Sequence, residues 1–118
     1  MAQSILAEKS IAFAIRVVNC VKYLQNERKE LIMSKQVLRS GTSIGANIRE
    51  SVRAQSTADF QAKMQISLKE ADETEYWLEL LKETDYITGN AAESLLADCE
   101  ELIRLIVAIV KTSKDGKQ

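Results

Sequence analysis

A chain of 118 residues, 46% apolar and 28% charged, has the size and composition of one globular domain with a single core, which excludes the disordered and collagen-like classes. It contains no proline to interrupt a helix and no histidine, the side chain on which most acid–base chemistry and the commonest transition-metal sites depend near neutral pH. The net charge of −1 marks no global nucleic-acid binder but is unevenly spread: residues 28–53 carry six basic and two acidic side chains, residues 54–101 three basic and twelve acidic.

The first helix is predicted over about 4–28. Leu6, Ser10, Phe13, Val17, Cys20 and Leu24 alternate spacings of three and four and so share one stripe, and Ile11, Ala14, Val18 and Val21 form a second stripe beside it. Such a wide apolar arc belongs to a central or partnered helix. The polar stretch Gln25 to Glu30 reads as the turn.

A second helix is predicted over about 31–53, with Val37, Leu38, Ile44, Ile48 and Val52 as its apolar positions. Gly41 and Gly45 stand four apart within it, each costing up to about 1 kcal/mol relative to alanine. Close approach of another helix offsets that cost; the alternative is a break at Gly41 into two short helices.

The third helix, about 57–85, is announced by Ser56 or Thr57 as N-cap and Asp59 in the first turn. Phe60, Met64, Ser67, Ala71, Thr74, Leu78 and Leu81 form its stripe. Thr88, Gly89 and Asn90 make the last turn, with Asn90 and Glu93 spaced as a capping box. The fourth helix, about 90–112, carries Leu95, Cys99, Leu102, Ile106 and Ile109 on one stripe and Leu96, Ile103, Val107 and Val110 on the next. After Thr112 the tail is polar and expected to fray. Four such helices with short connections give an all-α, antiparallel up-down-up-down four-helix bundle, one domain over 1–118.

Cys20 and Cys99 fall at similar heights in that topology. A disulfide is geometrically conceivable, but neither zinc nor redox-dithiol spacing is present, and separate reduced thiols in the cytoplasm are the simpler account. No signal peptide or membrane-length apolar run is seen.

Polar residues at helical spacing supply the candidate sites. Ser40, Ser43, Asn47 and Glu50 line one strip of the second helix, opposite which Glu70, Glu73 and Glu75 of the third can stand. A carboxylate pair of Glu50 and Glu73 could serve as acid and base or hold a hard cation, but the di-metal bundles use Glu-x-x-His elements and this chain has no histidine. A hydrogen-bonded packing layer that fixes helix register is the alternative. Lys35, Arg39, Arg49 and Arg53 are candidate phosphate contacts, since these need only repeated charge. No Gly-rich phosphate loop, nucleophile elbow or zinc motif occurs, and the sequence assigns no catalytic residue, cofactor or metal.

The stretch Arg39 to Leu81 carries Arg39-Ser40, Ser43-Ile44, Asn47-Ile48 with Glu50, Asp59-Phe60, and Glu73-x-Glu75 before Trp77-Leu78. It resembles the signature of the 23S rRNA intervening-sequence, or S23, protein family, and the flanking helices extend the resemblance over nearly the whole chain. The resemblance implies a small cytoplasmic four-helix bundle of largely unassigned role that assembles as a ring-shaped homopentamer. Retroelement accessory variability proteins are similar pentamers that bind nucleic acid and a reverse transcriptase through a basic surface. Their likeness makes RNA, DNA or a reverse transcriptase candidate partners, although a net charge of −1 departs from their basic excess. Two expectations follow: a non-enzymatic scaffold that associates with itself through the apolar arcs of the first and fourth helices, or a nucleic-acid accessory module using the basic second helix.

Overall fold

The computed structural model describes residues 2–115, which form four helices: α1 (Ala2–Asn26), α2 (Met33–Val52), α3 (Thr57–Glu83) and α4 (Gly89–Lys114). Contacts that join neighbouring helices run in opposite senses along the chain. Val17 meets Gly41 while Ser10 meets Gly45, and Ser40 pairs with Thr74 while Glu50 pairs with Lys63. Ala71 meets Cys99 while Gln61 meets Ser113, and Arg16 pairs with Asp98 while Lys9 pairs with Glu101. The result is an all-α antiparallel four-helix bundle, 47 Å long and 22 by 19 Å across.

The core is the set of stripes turned inward. Leu6, Phe13, Val17 and Leu24 of α1 meet Val37 and Ile44 of α2, Met64, Leu78 and Leu81 of α3, and Leu102 and Ile106 of α4. Each is buried, and burying one such side chain contributes roughly 1.5–3 kcal/mol. α2 runs unbroken through both glycines, which face α1: a Cβ at Gly41 would stand 2.9 Å from both Val17 γ-carbons, and one at Gly45 3.1 Å from Ser10 Oγ.

The helix ends differ from the sequence expectations by a residue or two, and local chemistry accounts for the differences. α1 stops at Asn26 because Lys29 adopts the left-handed region at φ 57° and the Glu30 amide reaches back to the Leu24 carbonyl at 2.9 Å. α2 begins at Met33 rather than Leu31. The Glu30 carboxylate folds over its first turn and accepts the amides of Ile32 (3.1 Å), Met33 (3.1 Å) and Ser34 (2.7 Å). Ser56 caps α3 through the Asp59 amide at 3.0 Å, and the helix ends at Glu83, where Asp85 turns left-handed at φ 63°. Thr88, not Asn90, caps α4, accepting the Ala91 amide at 3.2 Å. Glu93 is drawn away to Lys82, so no capping box forms. α4 runs on to Lys114, and the end of the tail expected to fray, residues 116–118, lies outside the described residues.

The fold sorts charge by layer. Residues 1–53, which build α1 and α2, hold nine basic and four acidic side chains, net +5; residues 54–118, which build α3 and α4, hold seven and thirteen, net −6.

Candidate functional site

The seam between α2 and α3 is the most polar junction of the bundle. Ser40 is completely buried and accepts a hydrogen bond from the equally buried Thr74 hydroxyl at 2.8 Å. Two turns along, buried Ser67 donates to the Ile44 carbonyl at 2.9 Å. At the solvent edge, Arg39 bridges two carboxylates of α3, Glu70 at 3.0 Å and Glu73, and the Trp77 indole also donates to Glu73 at 3.0 Å. Arg39 first, then Trp77, holds the Glu73 carboxyl below the usual carboxylate range.

The other members of the expected strip are placed less centrally. Ser43 and Asn47 bond along their own helix, Ser43 Oγ to the Arg39 carbonyl at 2.6 Å and Asn47 Nδ2 to the Ser43 carbonyl at 2.9 Å. Exposed Glu50 pairs with Lys63 at 3.0 Å. Glu50 and Glu73 are each held by a cation of their own, and neither is hydrogen-bonded to the other. Glu75 turns away from α2 toward α4, where burial and the neighbouring Glu100, Glu79 and Asp72 push its carboxyl up. By spacing alone Ser67 and Thr74 are core positions of α3, not members of a polar layer. Their signal was two hydroxyl residues seven apart on an otherwise apolar stripe.

The basic side chains divide in two. Arg39 is spent on Glu70 and Glu73, whereas Lys35, Arg49 and Arg53 are exposed and, among the described residues, have no carboxylate within 4.0 Å. Arg49 and Arg53 rim an open groove of about 690 Å³ between α1 and α2, with Ala7, Ala14, Gly45 and Ile11 along it.

Apolar exposure is also unequal. α1 leaves Ile5, Ile11 and Ile15 at 45%, 51% and 59% exposure. α4, expected to share this role, buries Leu95, Leu96, Leu102, Ile106, Ile109 and Val110, and on its second stripe leaves Ile103 half-buried and Val107 exposed. Among the described residues, no helix is long and apolar enough to cross a membrane. Both cysteines are free thiols; Cys99 is buried, with its Sγ 3.3 Å from the Ala71 carbonyl, and Cys20 is half-buried.

Residues 2–108 match the family described as 23S rRNA-intervening sequence protein. The chain belongs to that family. Among solved structures it is similar, at 57% identity and a TM-score of 0.94, to a protein with unknown function from the S23 ribosomal protein family of Bacteroides thetaiotaomicron VPI-5482. The match covers 95% of this chain and 100% of that one. No curated protein matches. The family resemblance and the fold expected from sequence thus both stand, and neither match names an enzyme activity.

Proposed function

We propose that this member of the 23S rRNA-intervening sequence protein family is a non-enzymatic cytoplasmic scaffold that works by associating with copies of itself, in the ring-shaped homopentamer that the family likeness implies. The outer face of α1 carries this reading. Ile11 and Ile15, four residues apart and 51% and 59% exposed on a helix whose opposite face is packed in the core, form an apolar patch that a partner would cover. Light scattering over a range of concentrations tests it: the expected mass is five times the 13.2 kDa of the chain. A mass of one chain at every concentration would remove the proposal.

A second reading is supported by Lys35, Arg49 and Arg53, whose charges are not neutralised by neighbouring carboxylates. As an accessory module for RNA, DNA or a reverse transcriptase, the protein would bind nucleic acid with an affinity that falls steeply with salt and with Arg49→Glu or Arg53→Glu. Absent or salt-insensitive binding in a fluorescence-anisotropy titration would end that reading.

A further inference from the structure

We propose that the α1/α2 face is a docking surface for the α3/α4 face of a second copy of this chain, a head-to-tail contact; the proposal rests on the self-assembly reading above and names its surfaces. The two layers are charge-complementary, net +5 against −6. On the basic layer, Arg49 and Arg53 rim a groove of about 690 Å³, and the carboxylate on that rim, Glu50, is already paired with Lys63 at 3.0 Å. Ile11 and Ile15 stand exposed beside it.

The acidic layer offers the matching features. Tyr76 of α3 and Val107 of α4 are 58% and 48% exposed, and Asp72 and Glu79 are exposed on the same layer. Burial first, then the neighbouring Glu100, Glu79 and Asp72, disfavours the charge on Glu75, and an approaching guanidinium would relieve the repulsive part. Apolar residues lie at corresponding heights: Ile11 is next to the Ser10–Gly45 contact, one residue from the Ile44–Ser67 level. Val107 falls between the Gln61–Ser113 and Ala71–Cys99 levels. Pairing like layers about a two-fold axis would set equal charges against each other, whereas pairing unlike layers brings opposite charges together around an apolar centre.

Sedimentation velocity tests the contact with two variants that change only exposed side chains, Arg49→Glu/Arg53→Glu and Asp72→Lys/Glu79→Lys, each alone and mixed in equal amounts. The expected result is an assembled wild type whose mass falls as salt is raised, two variants that each sediment as the 13.2 kDa chain, and a mixture that reassembles because each variant supplies the face the other has lost. Ile15→Gln, which leaves every charge in place, is expected to weaken assembly as well. If the wild type is monomeric at all concentrations, the self-assembly reading falls and this proposal with it. If the wild type assembles but the charge variants alone assemble equally well, or if mixing restores nothing, self-assembly stands and this contact is overturned.

Discussion

A Cβ on residue 41 would lie 2.9 Å from both γ-methyl carbons of Val17, so the glycine there sets how closely α2 approaches α1. Gly41→Ala gains about 1 kcal/mol of helix propensity but drives a methyl into a β-branched side chain with little rotamer freedom, at a cost of about 1–3 kcal/mol. A net loss of up to about 2 kcal/mol and a lower Tm are expected. Gly45→Ala meets the Ser10 hydroxyl at 3.1 Å, which must give by only a few tenths of an ångström while it stays bonded to the Ala7 carbonyl, and that small cost set against about 1 kcal/mol of helix propensity should leave stability nearly unchanged. Thermal denaturation of both variants decides; a Gly41→Ala variant more stable than wild type by the full helix-propensity gain of about 1 kcal/mol would contradict the close-packed seam.

The Ser40–Thr74 hydrogen bond joins two fully buried side chains. Thr74→Val keeps the shape and deletes the donor, leaving the Ser40 hydroxyl buried and short of a partner, for a loss of about 1–3 kcal/mol. Adding Ser40→Ala removes the stranded group, so the double variant should be more stable than the sum of the singles predicts, by at least about 0.5 kcal/mol. Urea unfolding measures this, and strict additivity would show that the pair is not coupled.

Glu30 gives stability a dependence on acid. Burial alone would push its carboxyl up, but the amides of Ser34, Met33 and Ile32 together outweigh it and hold the carboxyl below its ordinary range. The folded pKa therefore lies below the unfolded value of about 4.3. The contribution is complete above that value and is lost as pH falls through the folded pKa. Glu30→Gln, which keeps an acceptor without the charge, is expected to cost about 1 kcal/mol at pH 7 and progressively less in acid. A gap between variant and wild type that stays constant from pH 7 to pH 3 would show that ionisation plays no part.

The thiols should react unequally. Burial first, then the nearby Glu75, Asp72, Glu100 and Asp98, pushes Cys99 up to about 12, and almost no thiolate is present at neutral pH. Burial also raises Cys20, partly offset by Arg16, but its side chain is only half-buried. Titration with a chromogenic disulfide should find one slowly reacting thiol in the native protein and two after unfolding. Two fast-reacting native thiols would contradict the packing of Cys99 against Ala71.

Helix positions were legible because three-and-four spacing has one physical cause, the turn of the α-helix: of the stripe Leu6, Ser10, Phe13, Val17, Cys20 and Leu24, all are buried but Cys20, which is half-buried. Ends were less legible. Thr88 and Asn90 are both good caps by residue type, and only the buried Ile87 just before Thr88 sets where the chain can turn into α4. Nor could the sequence say which apolar arc remains uncovered. Thr42, Gly45 and Ala46 are among the α2 residues that line the groove with Ile11, and side chains this short leave Ile11 exposed. In the candidate site, spacing placed Ser40, Ser43, Asn47 and Glu50 together on α2. It did not separate the buried Ser40, which bonds across the seam, from Ser43 and Asn47, which bond along their own helix. That distinction depends on how far α2 is rotated against α3, and packing sets the rotation.

The division of charge between the two helical layers gives a nearly neutral molecule a large electric dipole directed across its short axis. A single chain should therefore adhere to both cation- and anion-exchange surfaces at one pH, presenting α1 and α2 to the first and α3 and α4 to the second. Its orientation on a charged surface would follow the sign of that surface, although its net charge is only −1.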